Sequence, residues 1–213
     1  MSALGHLTSA VQFGFIIGTL IFAILTIADR FSPSKVFLVS ALLGSLFNLG
    51  VKWEANNLLS LLSLRFFTGF FLAGIYPVGM KIASDYYEKG LGKSLGFLVG
   101  ALVLGTALPH LLNEMTLVYS WKSVLITTSS LGVLGGLLMV IMVPDGPFRK
   151  KSKRTDLPAF FSVFRNLKFR SVAFGYFGHM WELYAFWAFI PIMLKKYCID
   201  IHKSYSIFQY YHL

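Results

Sequence analysis

Six apolar runs of near-membrane length dictate what this chain can become: Thr8–Ala28, Val36–Val51, Leu58–Ala83, Ser94–Leu112, Ser123–Val143 and Ser171–Leu194. A helix crosses the hydrocarbon core of a bilayer with about 20 mostly apolar residues. The second run is the shortest and can extend towards Trp53. None of the six alternates apolar with polar residues, and each is well beyond the length of a barrel strand. Inside lipid the backbone must satisfy its own hydrogen bonds, which helices do within one segment. The sequence therefore predicts an all-α, polytopic membrane protein with six transmembrane helices.

Composition excludes the other classes. Of 213 residues, 56% are apolar and only 13% are charged, against about 25% charged in soluble domains. A soluble globule needs a polar coat that this chain lacks, and a disordered tail would not be this apolar. The net charge of +10 could suggest a nucleic-acid partner. Eight of the nineteen basic residues, however, fall between Arg149 and Arg170, beside apolar runs. There a basic block anchors against anionic headgroups, so membrane lipid is the expected partner and nucleic acid is not. The single cysteine, Cys198, allows no internal disulfide. We find no phosphate loop, nucleophile elbow or metal-ligand spacing, so no cofactor, no metal and no enzymatic activity are expected.

Lysine and arginine counts orient the spans. Arg30, Lys35, Lys81, Lys89, Lys93 and the eight of the basic stretch lie on one side. Lys52, Lys122, Lys195, Lys196 and Lys203 lie on the other, with Arg65 inside a span. That asymmetry puts the Asp29, Asp85 and Arg149 loops in the cytoplasm of a plasma or inner-membrane protein. It also puts the N-terminus outside, although no cleavable signal peptide precedes the first span. A chain that lacks one span at its front would look like this.

The expected organisation is five helices over residues 1–143, a basic linker over 144–170, a sixth helix over 171–194 and a tail over 195–213. Within the linker, Asp156-Leu157-Pro158 looks like a helix start. Phe160, Phe161, Phe164 and Leu167 follow as an apolar stripe flanked by Arg165 and Lys168. They predict a short amphipathic helix on the inner membrane face, the alternative being a plain linker. Beyond Leu194 there is no further span and no helical apolar stripe, which suggests an outer loop or a stray end.

Few ionisable residues enter the spans. Arg65 opens Arg65-Phe-Phe-Thr-Gly69, followed by Ala73, Gly74 and Pro77. A guanidinium at a helix centre in lipid costs roughly 2.5–3.5 kcal/mol on insertion scales. Arg65 is therefore expected to bind a solute anion or pair with an acid, or else to snorkel to the outer interface. Tyr176, His179 and Glu182 succeed one another at three-residue spacing on the sixth span. They fit a proton relay or polar solute face, or a structural hydrogen-bond pair between helices. Gly14 with Gly18, Gly69 with Ala73 and Gly74, and Gly96 with Gly100 mark helix-packing faces. Gly105 and Pro109 suggest a bend.

These residues resemble a family. Ala28-Asp29-Arg30-Phe31, followed by Lys35, looks like the loop signature that joins the second and third helices of the major facilitator superfamily. Arg65-x-x-x-Gly69 resembles that family's fourth-helix motif. The glycine-rich fourth run with Pro109 is similar to its fifth helix, and Arg149–Arg170 to the linker between its two halves. On that register the six spans correspond to the second through seventh helices, a partial bundle without the first helix and most of the second half. The resemblance implies gating by Asp29, Arg30, Lys35 and Asp85. It also carries Arg65 and the Tyr176/His179/Glu182 face to opposite walls of a central cavity. The implied function is secondary transport of a small polar or anionic solute by alternating access. Arg65 would neutralise the solute, and Glu182 with His179 would couple protons. Leu25 and Ser32 stand where the loop signature has glycines, and Pro33 replaces a basic residue. The incomplete Gly-Pro pattern around Gly105 argues against a drug antiporter. The rival expectation is a truncated fragment or assembly subunit with no transport of its own.

Overall fold

The computed structural model describes residues 2–115, 121–149 and 162–210, and the regular structure among them is helical. The helices are α1 (Ser2–Ile24), α2 (Ile27–Arg30), α3 (Pro33–Gly50), α4 (Leu58–Leu72), α5 (Tyr76–Tyr86), α6 (Leu91–Met115), α7 (Trp121–Met142) and α8 (Leu167–Tyr210). They divide into two compact units, residues 1–155 and residues 156–213.

Five segments of the first unit are long and apolar enough to cross a bilayer: Gly5–Ile24, Pro33–Gly50, Leu58–Tyr86, Leu91–Leu108 and Trp121–Met142. The chain is a multi-pass membrane protein, and its burial pattern is inverted accordingly. Large apolar side chains such as Ile16, Leu104 and Ile141 are exposed, whereas Ser34, Ser40, Ser45, Thr68, Asp85 and Ser129 are buried. Lipid solvates the first set, and the second must find its partners within the protein, as Thr68 does on the Leu64 carbonyl and Asp85 on Lys81.

Two helix pairs build this unit. In the first, α1 runs parallel to α4. A Cβ at Gly14 would overlap the carbonyl oxygen of Phe66, one at Gly18 that of Phe70, and one at Gly69 that of Val11. Backbone thus touches backbone, as small-residue faces permit in lipid. In the second pair α3 runs antiparallel to α7. Its side towards α7 carries Leu38, Ala41 and Ser45, which meet Gly136 and Gly132, with Ser45 also reaching Ser129; Ser40 and Gly44 face Gly74 and Phe71 instead. Phe47 stacks on Phe67 and Phe71, with ring centroids 5.0 and 5.7 Å apart, which fastens α3 to α4.

Two of the predicted spans are interrupted. The run expected over Leu58–Ala83 breaks at Ala73–Ile75, where Gly74 and Ile75 turn back onto Phe71 and Leu72 through 3.0 Å backbone bonds. Pro77 explains the position, since its ring lacks an N–H and would clash with the carbonyl four residues earlier. Gly74 has no room for a side chain, because a Cβ would overlap the Ser40 hydroxyl. The run expected over Thr8–Ala28 breaks at Leu25–Thr26, where Thr26 takes a left-handed conformation (φ 47°). A β-branched residue is strained in that region. The Thr26 hydroxyl is also buried without a partner.

Three expectations change. Gly96, Gly100 and Gly105 serve no packing face among the described residues: a Cβ at any of them would meet nothing within 4 Å. The reason is that α6 lies along only a little of α5 and α7 and is otherwise open. Gly105 also lies within an uninterrupted helix rather than at a break. In the second unit, Leu167 starts α8 instead of closing an amphipathic helix, because the Asn166 carboxamide oxygen accepts from the Lys168 and Phe169 amides and caps α8. Asp156 to Phe161 lie outside the described residues. Finally, the stretch after Leu194 is helical through Tyr210. It contains neither glycine nor proline to stop the helix that starts at Leu167.

The two glycine environments separate in a stability measurement. Gly14→Ala is expected to destabilise the purified protein by about 1–3 kcal/mol, because backbone must move. Gly96→Ala is expected to leave stability unchanged or raise it by up to about 1 kcal/mol through helix propensity. Apparent melting temperatures in detergent read both; equal effects would contradict the α1–α4 contact.

Candidate functional site

Arg65 is set two turns into α4, whose N-terminus is fixed by Asn57: its side-chain oxygen accepts from the Ser60 amide at 2.8 Å. The half-buried guanidinium turns sideways onto α3, where Nη1 donates to Asn48 Oδ1 at 3.2 Å. Asn48 lies in the last turn of α3, so the charge sits towards the end of the bundle that carries Trp53 and Trp121. From Asn48 the connection continues, Nδ2 donating to Ser129 Oγ on α7 at 2.9 Å. The Ser45 hydroxyl donates to the Ser129 carbonyl oxygen at 3.1 Å. Arg65 has no carboxylate within ion-pair distance among the described residues. Among the described residues its charge is met by a neutral amide alone.

The opposite end of the same unit is built from charges. Lys81 on α5 forms ion pairs with Asp85, one turn along, and with Asp29 of α2 at 3.5 Å. The breaks at Leu25–Thr26 and Ala73–Ile75 redirect the chain so that α2 and α5 meet here. The Asp85 side chain is only 5% exposed, and its Oδ2 has no hydrogen-bond partner. A third segment closes over these two. The Asp85 carbonyl accepts from the Phe148 amide at 3.0 Å, and Tyr86 donates its hydroxyl to the Pro144 carbonyl at 2.5 Å. Ser34 donates to the Val143 carbonyl at 2.7 Å, and Ser32 to Asp145 at 2.6 Å. Arg149 pairs with Asp145 and donates to the Phe31 carbonyl at 2.7 Å. A cavity of about 160 Å³ lies behind the cluster, lined in part by Thr19, Thr26, Asp29 and Pro77.

Asp29 and Asp85 thus come together on one lysine, whereas Arg30 and Lys35 are exposed and pair with no carboxylate among the described residues. Sequence reasoning missed Lys81, which counted only towards orientation, and the Asp145–Arg149 closure. It also missed Asn48, Ser45 and Ser129, although each is a polar side chain inside an apolar run, which is the signal that could have found them.

In the second unit, Tyr176, His179 and Glu182 lie along α8. His179 Nδ1 is 3.9 Å from Glu182 Oε2, and their side chains are 64% and 80% exposed. Tyr176 packs edge-on against Phe177. Glu54, between the spans Pro33–Gly50 and Leu58–Tyr86, accepts a hydrogen bond from Lys122 at the start of α7, whose charge adds to the effect and holds that carboxyl below its ordinary value. Among the described residues no three metal-ligating side chains gather.

The sequence profile of the Major Facilitator Superfamily matches residues 1–210. The 4-hydroxybenzoate transporter PcaK of Pseudomonas aeruginosa is 28% identical over 151 residues, which span 66% of this chain and 30% of the relative. That of Pseudomonas putida is 28% identical over 154 residues, spanning 68% and 32%. A probable L-galactonate transporter of Escherichia coli is 22% identical over 195 residues, spanning 83% and 43%. The chain thus spans less than half the length of the curated relatives it matches. No solved structure matches it.

The charged cluster is open to a double-mutant test. Lys81→Met strands the buried Asp85 carboxylate and is expected to destabilise the protein by about 3–5 kcal/mol. Lys81→Met combined with Asp85→Leu is expected to recover most of that loss, because no uncompensated charge remains buried. Apparent melting temperatures of the set measure the coupling; additive losses would show that Lys81 and Asp85 act independently.

Proposed function

Because the chain belongs to the Major Facilitator Superfamily, we propose that it serves in a secondary transporter that moves a small organic anion by alternating access, coupled to protons. The observation that carries this reading is the Arg65 guanidinium, held inside a span by Asn48 with no carboxylate within ion-pair distance among the described residues. An uncompensated cation in a low-dielectric site attracts an anion far more strongly than one in water. Arginine also presents a planar fork that suits a carboxylate. The named solutes of the relatives, 4-hydroxybenzoate and L-galactonate, are both carboxylates, which supports the same chemistry.

Arg65 then recognises the solute's charge. Tyr176, His179 and Glu182 supply the polar face that exchanges protons, since imidazole and carboxylate can each take up and release one. The Asp29–Lys81–Asp85 cluster and its Pro144–Arg149 cover belong to the cytoplasmic side, where the excess of lysine and arginine places them. There they act as a gate, with Arg30 and Lys35 facing the headgroups, and the protein resides in the plasma or inner membrane. Rigid-body rocking of helix groups about a midplane site is the usual course of such transport.

Uptake of radiolabelled 4-hydroxybenzoate and L-galactonate into proteoliposomes holding the protein, under an imposed pH gradient, tests this. Arg65→Ala is expected to lower uptake about tenfold to a hundredfold, the worth of one charge-assisted hydrogen bond. Arg65→Lys should recover only part, because a point charge does not replace the fork. Glu182→Gln should abolish the response to the gradient while solute exchange across the membrane persists. Uptake indifferent to Arg65 would overturn the anion reading, and gradient-driven uptake indifferent to Glu182 would remove proton coupling through it.

A further inference from the structure

We infer that Asn48 and Ser129 form a brace that positions Arg65 for the solute, holding its guanidinium in place while leaving its charge free; the inference rests on the anion-binding role proposed for Arg65. Hydrogen-bond inventory fixes the arrangement. A guanidinium only donates, so the Asn48 carboxamide must turn its oxygen to Arg65. Its NH2 group is thereby directed at α7, where the Ser129 hydroxyl accepts at 2.9 Å. Ser129 is 3% exposed. It is fixed in turn by the Ser45 hydroxyl on its carbonyl oxygen and by the close approach of α3 and α7 at Gly132 and Gly136. The brace therefore leads from the close contact of α3 and α7 to the Arg65 guanidinium.

The choice of an amide has a consequence that a carboxylate would not. Aspartate in place of Asn48 has the same size and the same acceptor, and would hold Arg65 more tightly through an ion pair. It would also cancel the charge that an anionic solute needs. An apolar residue of the same size leaves the charge but removes the hold. Stability and solute recognition thus respond in opposite order to the two substitutions. For stability Asn48→Asp is the milder change, and for anion binding it is the more damaging one.

The test uses the protein in nanodiscs and an arginine-selective dicarbonyl, phenylglyoxal, with modification of Arg65 read by peptide mass spectrometry. The probes are 4-hydroxybenzoate and L-galactonate, each titrated for protection of Arg65 from the reagent, and apparent melting temperature is measured in parallel. In the unsubstituted protein at least one anion should protect Arg65. Asn48→Leu should raise the protecting concentration about five- to tenfold, in keeping with loss of one hydrogen bond to a charged group, and should lower the melting temperature. Ser129→Ala should raise it by a smaller factor. Asn48→Asp should abolish protection while melting at or above Asn48→Leu.

Protection in Asn48→Asp equal to that of the unsubstituted protein would overturn the brace. So would an unchanged protecting concentration in Asn48→Leu. If neither anion protects Arg65 in the unsubstituted protein, the anion-binding role itself fails and the brace falls with it. The first two outcomes leave that role standing.

Discussion

The bilayer offers no hydrogen-bond partner, and every polar feature of this protein follows from where that deficit is made good. Hydrophobic burial cannot drive helices together in a solvent as apolar as their own side chains. Close backbone contact and interhelical polar bonds must do it. The first unit divides the two means between its helix pairs. Contact between α1 and α4 is made by glycines against carbonyl oxygens. Contact between α3 and α7 is made by serines, with Ser45 and Asn48 both reaching Ser129. What a soluble protein would display on its surface is here the interior, and Ile16 or Leu104 takes the place of a surface lysine.

The same deficit explains why the two helix breaks stand together. A broken helix exposes carbonyls and amides, so it persists in a membrane only where protein covers it. The α1 and α4 axes run side by side, and a Cβ at Gly18 would lie 2.9 Å from that of Ala73, at the edge of the second break. The break at Ala73–Ile75 is thus covered by α1, where Phe22 lies against Gly74. Beyond the two breaks α2 and α5 carry Asp29 and Lys81 into contact. The left-handed Thr26 is the local strain that accompanies this geometry, and the ion pair and the Pro144–Arg149 closure hold it in place.

Much of the framework was legible because its determinants are one-dimensional. Span lengths follow from apolar runs, and the break at Ala73–Ile75, which the run Leu58–Ala83 did not show, is marked in hindsight by Pro77. The break at Leu25–Thr26 carries no such mark, since neither residue is a glycine or proline and the tertiary contact imposes it. Glycine spacing was equally ambiguous. Gly14 and Gly18 touch α4, Gly96 and Gly100 touch nothing among the described residues, and the written pattern is the same. Gly132 and Gly136 share that four-residue spacing and do line α3. A spacing rule finds faces a helix could use; which one is used depends on the neighbour. Lys81 was missed as a site residue for a similar reason. Counted along the chain it is one positive charge among many, and only the fold shows two carboxylates around it.

The two ionic centres of the first unit differ in a way that bears on what each can do. At one end Lys81 stands between Asp29 and Asp85, so one cation serves two carboxylates and the group carries a net negative charge. At the other, Arg65 carries a full positive charge against a neutral amide. If Arg65 existed only to fasten α4 to α3, a carboxylate at position 48 would satisfy it better, and a leucine pair would do so without burying a charge at all. Neither is found. Under the anion-binding role proposed above, the Arg65 charge, which no carboxylate meets among the described residues, is a standing energetic burden relieved whenever a soluble anion arrives and restored when it leaves. That alternation is what a transport site requires: a group paired too well within the protein would have no reason to capture its solute, and one paired not at all would have no fixed place from which to do it.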